Sequence, residues 1–435
     1  MVPAAPSAGV RTARLGTLDA LRFAAALAVV AFHFTGINPA WDGQAPIEVD
    51  VLGRWAAYGA MGVPLFFVIS GFVVLMTAWG RDVPSFVASR AGRLFPAYWA
   101  AVAIAALFAF VIWPAGSVAG GYAPTRVDAL VNLTMLQGGI GTPDLVGAFW
   151  TLWTEARFYL LIAVLILIGI NRARVLAFAT LWPVAGLMAA RAESPLLSTL
   201  LIADYAPYFA GGMLLYVIYR DGHDLGTWLL VGLQSLLALH FAVDHYPEAL
   251  AQATGWGTST TVIAAISLSC FGLVALFVLS PVARLSAQWM TVLGALTYPV
   301  YLVHEKVGYY VLHLLRGEVS PWLALAAATA AALLVATLLH HAVEKPFGGR
   351  LRAATLRMLQ RSTDRATPAA ARPDLESVTA TGADRAPERA TQARPRAVGG
   401  LPTHPLAVLH TTASPQRPRH RRPEPRVPVP ASARD

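Results

Sequence analysis

Behind Asp19 at its mouth, the apolar run LDALRFAAALAVVAFHF at residues 18–34 carries two further ionisable side chains: Arg22 near its start and His33 near its end. They stand eleven positions apart, roughly 16 Å along a helix axis. Eleven steps of about 100° come close to three whole turns, so both side chains face the same way. An imidazole titrates near neutrality and suits proton transfer. A guanidinium suits phosphate or carboxylate oxygens, which it can hold bidentately. In a segment this apolar the pair needs a polar cavity around it, because ionisable groups facing lipid are costly.

Further candidates are scattered along the chain. Glu155 lies in WTLWTEARFYLL, and His304 and Lys306 lie in LTYPVYLVHEKVGYY. A carboxylate can orient an imidazole and balance its charge, as in hydrolytic triads. That is the role expected of Glu155 toward His33, with a salt bridge to Arg157 as the plain alternative. Taken singly, His33 and His304 fit bundle contacts as well as catalysis. Arg90 and Arg93 in SFVASRAGRLFPAYW are three apart and share a helix face. With Arg22 they could hold the phosphates of an anionic donor, or they could simply be basic residues at a membrane surface. GVPLFFVISGF sets Ser70 and Gly71 inside an apolar run, and HHAVEKPFGG places His340 and His341 near its end. No HExxH, CxxC or carboxylate cluster is present, so no metal is expected. Walker A and GxGxxG patterns are also missing, so anion binding rests on arginines. The single cysteine, Cys270, excludes an intrachain disulfide.

The elements that must position these groups are membrane helices. Of 435 residues, 56% are hydrophobic and 13% charged, against about 25% charged in soluble domains. The fold class is all-α, a polytopic helical bundle of about ten transmembrane helices. The spans run over 18–36, 60–78, 97–113, 149–169, 174–190, 199–218, 227–243, 258–280, 291–314 and 321–342, each near the length that crosses roughly 30 Å of hydrocarbon. The first is read as a retained span. Lys and Arg in the connections fall eleven to one side and four to the other, which puts both termini in the cytoplasm. Arg22 then lies near the inner surface, His33 and Glu155 in the outer half, and His304 near the middle.

Three regions are expected: a cytoplasmic segment at 1–17, a ten-span membrane domain at 18–350, and a disordered, basic, Pro/Arg-rich cytoplasmic tail at 351–435. The tail holds 15 of the 33 Lys and Arg and 7 of the 24 Asp and Glu, so nearly all of the net +9 charge belongs to it. Such a tail is a solvated segment able to touch membrane lipids; specific nucleic-acid binding is not expected. Composition alone leaves three function classes open: an enzyme, a proton-coupled transporter of a small polar solute, and a membrane scaffold that uses the tail as an arm.

The ordered motifs separate them. LDALRFAAALAVVAFHF, GVPLFFVISGFVV, the SRAGRLFPAYW arginines, WTLWTEARFYLL, LTYPVYLVHEKV and the closing EKP resemble the integral-membrane acyltransferase-3 family over residues 14 to 348. Members O-acylate surface polysaccharides, peptidoglycan and some glycosides. The resemblance implies an acyl-CoA donor, acetyl-CoA foremost, a carbohydrate or glycosylated acceptor, and a multi-pass protein of the inner (plasma) membrane. It makes Arg22 and His33 the family's arginine and histidine with ten residues between them. Arg90 and Arg93 stand for its later arginine pair, which here is not adjacent. Glu155 matches its acidic position and His304 the histidine after its Tyr-Pro motif, where Glu305-Lys306 replaces the frequent apolar-proline continuation. The implied catalytic set is His33, Glu155 and His304, with His304 holding the acceptor or the oxyanion. The implied donor-binding set is Arg22, Arg90 and Arg93. No C-terminal esterase-like domain, such as some members carry, is expected.

Overall fold

The computed structural model describes residues 15–37, 47–114 and 123–366. Every regular element among them is helical. The first fourteen residues, the start of the first connection and the tail from residue 367 lie outside the described residues.

Helix α1 (Gly16–Ala31) ends in a π-helical turn, Phe32–Gly36. A short α2 (Ile47–Ala56) and a 3₁₀ turn, Ala57–Met61, lead into α3 (Gly62–Ala78). Asp82 caps α4 (Val83–Leu107) by accepting from Ser85 N at 3.2 Å, and the helix runs on through a π turn, Phe108–Ile112. After α5 (Arg126–Asn132) come α6 (Trp150–Ile168) and α7 (Arg172–Arg191). Next are the roughly two turns of α8 (Pro195–Leu201), then α9 (Ala206–Asp221) and α10 (Leu225–Thr254). The body closes with α11 (Thr260–Leu279), α12 (Gln288–Leu315), α13 (Pro321–Leu339), a π turn, His340–Glu344, and α14 (Lys345–Ala366).

Nine helical stretches among the described residues are long and apolar enough to cross a membrane. The tenth long helix, α12, spans 28 residues and carries His304, Glu305 and Lys306 in its middle. These polar insertions lower its hydropathy, yet it lies inside the bundle, against α1 on one side and α13 on the other. The expected ten spans are thus all found as helices.

Three boundaries differ from expectation by more than ten residues, one of them the end of the seventh span, which runs to Thr254 rather than residue 243. The third span starts at Val83 rather than residue 97: Asp82 caps the helix there, and Pro96 is absorbed inside it. Arg90 and Arg93 are therefore helical residues of the bundle, not part of a connection. The helix after the last span runs to Ala366, beyond the expected tail boundary at 351, because it lies against α4.

In lipid the helices gain little from hydrophobic transfer, so close packing through small residues must hold them together. The α3–α9 contact shows this. A Cβ at Gly71 would collide with the Phe209 carbonyl, and one at Gly212 with the Val68 carbonyl. The α1–α12 contact repeats it: a Cβ at Gly294 would strike Asp19, and one at Gly308 the ring of Phe34. This second seam brings the two histidine-bearing helices together.

Candidate active site

His33 sits in the π-helical turn that ends α1. Such a turn admits an extra residue and is frequent at functional sites. His33 is half-buried and His304 fully buried. His304 Nε2 lies 3.2 Å from His33 Nδ1, with ring centroids 4.9 Å apart. The protons follow from the partners. His304 Nδ1 faces the carbonyls of Tyr301 at 2.9 Å and Val300 at 3.2 Å, which only accept, so Nδ1 carries the hydrogen and Nε2 the lone pair. His33 Nδ1 faces the Val29 carbonyl at 3.0 Å and that lone pair, so it too must donate. The remaining nitrogen, His33 Nε2, is the unprotonated one. Main-chain geometry on α12 thereby presets the tautomer of a base on α1.

Next to His304, the Glu305 carboxylate is 8% exposed. It accepts from Gly147 N at 3.0 Å and Ala148 N at 3.2 Å, the amides that lead into α6. The same joint holds Tyr301. Its hydroxyl is 2.9 Å from Thr151 Oγ1 and donates to the Ala148 carbonyl at 3.3 Å.

The arginines lie elsewhere along α1. A cavity of about 830 Å³ is walled by Asp19, Arg22, Arg93, His340, His341 and Lys345 among others. A narrower one of about 70 Å³ adjoins it. Arg22, Arg93, Gly294 and Tyr298 line both. Arg22 Nε is buried without a hydrogen-bond partner, an orphan donor at the junction that an anionic oxygen would satisfy. Ser70 and Glu155 line the narrow cavity, and Ser70 donates to Glu155 Oε1 at 3.0 Å. Phe66 and Tyr301, in edge-to-face contact at 5.7 Å, line it as well. Tyr301 touches His304 with its ring, centroids 5.9 Å apart. Wide cavity, narrow cavity, Tyr301, His304 and His33 thus follow one another through the bundle.

The expected site residues therefore fall into two groups. His33 and His304 meet. Arg22, Arg93 and Glu155 meet around the narrow cavity. Glu155 is not beside His33, and the reason is helical rise. Gly147 is already level with Glu305, so Glu155, eight residues on, is carried roughly 12 Å past the imidazoles toward the arginines. The carboxylate beside the imidazoles is Glu305, which the chain advertises only by its adjacency to His304. Arg90 lines neither cavity. It donates to Thr77 Oγ1 at 3.1 Å and lies over the rings of Phe86 and Tyr159. Tyr301, Thr151 and Ser70 complete the polar path; of these, sequence reading singled out only Ser70. Outside the spans, Asp144 accepts from Gln137 Nε2 at 2.7 Å. Burial pushes its carboxyl up to about 6, with the Gln137 hydrogen bond acting in the opposite direction. Among the described residues no group of three or more His, Cys, Asp or Glu gathers to hold a metal.

Comparison with known proteins adds independent findings. Residues 15–341 match the model of the family described as an acyltransferase domain. Acyltransferase MdmB of Streptomyces mycarofaciens is 27% identical over 393 residues, covering 84% of this chain and 96% of that protein. The peptidoglycan O-acetyltransferase OatA of Listeria monocytogenes is 23% identical over 159 residues, which is 33% of this chain and 23% of the Listeria protein. No solved structure matches.

Proposed function

The chain belongs to the membrane acyltransferase family matched over residues 15–341, and on that premise we propose that it moves an acyl group from a cytoplasmic acyl-CoA-type thioester, acetyl-CoA foremost, to a hydroxyl on a sugar of a cell-surface glycan or glycosylated metabolite. It does so as a multi-pass protein of the plasma membrane with both termini cytoplasmic, a topology supported by the bias of Lys and Arg among its connections. Residues 18–350 form the catalytic membrane domain. The basic charge of the segment that follows suits it to the cytoplasmic side and to anionic lipid headgroups.

Arg22 and Arg93 hold the anionic part of the donor at the mouth of the narrow cavity, with His340, His341 and Lys345 on the wide cavity's wall. Arg90, which reaches neither cavity, supports the α4 face that presents Arg93. Glu155, held by Ser70, balances the arginines' charge. The donor supplies an activated carbonyl. His33 Nε2 takes the proton of the acceptor hydroxyl as its oxygen bonds to that carbonyl carbon. The carbon–sulfur bond then breaks, and the thiolate receives the proton from His33. His304 keeps the His33 ring turned and in the right tautomer, a role different from holding the acceptor, because its Nε2 is already engaged by His33.

The observation that carries this reading is the His33–His304 hydrogen bond, which leaves one basic nitrogen free on the helix that also bears Arg22. Purified full-length protein in lipid nanodiscs, given labelled acetyl-CoA and a glycoside acceptor, should transfer the label. His33→Ala should lose at least about 10²-fold in kcat. Arg22→Gln should raise the donor KM roughly tenfold or more, in line with the loss of a charge-assisted hydrogen bond. Full activity in a folded His33→Ala protein would overturn the assignment.

A further inference from the structure

Glu305 is an ionisable group inside a membrane helix, and nothing in the reaction sequence above uses it. A buried carboxylate is costly unless hydrogen bonds and charge compensate it. Here both oxygens are taken by consecutive main-chain N–H groups, Gly147 and Ala148. These open the turn into α6, a place where aligned peptide dipoles favour negative charge. The approach is close: a Cβ at Gly147 would come 3.0 Å from Glu305 Oε2, so glycine leaves the room this seat needs. The charged groups around the carboxylate come from several elements. His33 in the turn after α1 and Asp144 in the segment before α6 lie within electrostatic reach of it, while His304, Lys306 and Tyr309 lie on α12 itself. Tyr301 and Thr151 join the same two elements through their hydroxyls.

We infer that Glu305 is a positioning residue for the transfer: a fixed negative charge, seated on the start of α6, that stabilises the imidazolium formed when His33 takes the acceptor's proton. This rests on the acyl-transfer reading above. The proton's path is unchanged, from acceptor oxygen to His33 Nε2 to the departing thiolate. Glu305 stays ionised throughout and never exchanges a proton with substrate. Its charge makes the protonated base cheaper, while the main-chain seat keeps the carboxylate from taking the proton itself.

The test compares Glu305→Gln, Glu305→Asp and Gly147→Ala as full-length protein in nanodiscs. Glu305→Gln should lower kcat on the order of 10- to 100-fold, leave the donor KM within about twofold, and move the acid limb of the kcat–pH profile down by about one pH unit, because a base without its counter-charge holds its proton less well. Gly147→Ala crowds the same seat but keeps the charge, so it should lower thermal stability and leave the limb in place. If Glu305→Gln does not fold, Glu305→Asp decides: the charge remains while the seat is lost, and the limb should stay. Wild-type kcat and profile in Glu305→Gln, a shifted limb in Gly147→Ala, or a shifted limb in Glu305→Asp would each overturn the inference. Absence of transfer by the wild-type protein would instead overturn the acyl-transfer reading on which it depends.

Discussion

Both imidazoles of the candidate site are oriented by main-chain carbonyls. Val29 fixes one nitrogen of His33, and Tyr301 with Val300 fixes one of His304. The side-chain bond between the rings then has only one direction. His33 and His304 were legible in the chain because each is an ionisable break in an apolar run. Their pairing was not, since it depends on how far one helix is slid along another. The same slide explains Glu155, expected beside His33 but carried by its depth to the cavity that Arg22 and Arg93 line. A residue-scale prediction concerns Asp144. Its folded-state pKa, raised to about 6 from the ordinary 3.8, means that the protonated form is favoured by folding. That contribution to stability is present below about pH 4 and is lost as pH rises through 6. Asp144→Asn keeps an acceptor for Gln137 without a titrating group. Its thermal midpoint should exceed that of the wild type at pH 8, with the gap closing toward pH 4.

At the scale of elements, two of the three π-helical turns among the described residues carry residues of the candidate site. One holds His33, and the other, at His340–Glu344, brings His340, His341 and Glu344 to the wall of the wide cavity. Hydropathy placed the helices well but could not reveal these turns, because an extra residue in a turn leaves the apolar pattern almost unchanged. It also set the third span too late, reading Pro96 as a border where the Asp82 cap and the neighbouring α14 sustain a longer helix. The glycine seams carry the element-scale prediction. Gly212→Val forces a side chain into the Val68 carbonyl, so α3 and α9 must separate. Stability in detergent should fall by roughly 1–3 kcal/mol or more, read from the thermal midpoint. Gly232 has open space around it and tolerates Ala at the same readout.

For the molecule as a whole, the ten long helices among the described residues fit the proposed topology with both termini cytoplasmic. α13 crosses once between Arg316 and Arg350. In a Cys270→Ala background, Arg81→Cys and Arg350→Cys should react with an impermeant maleimide from the cytoplasmic side, and Arg316→Cys from the opposite side. Labelling of Arg316 and Arg350 from one side would overturn the topology. Membrane class and span number were legible because an apolar run of bilayer length has few other uses. The two-cavity architecture was not, because a cavity is a property of several helices at once.

Phe66 and Tyr301 line the narrow cavity on the side where the Tyr301 ring meets His304. An enzyme that lines up basic and acidic groups through a bilayer resembles, electrically, a proton wire. A cell that stores energy as a proton gradient loses that energy through any such wire left open. On the proposed reaction, the two aromatic rings set apolar surface between the narrow cavity and the imidazole pair, which opposes proton leak across the membrane while the acyl group is handed on.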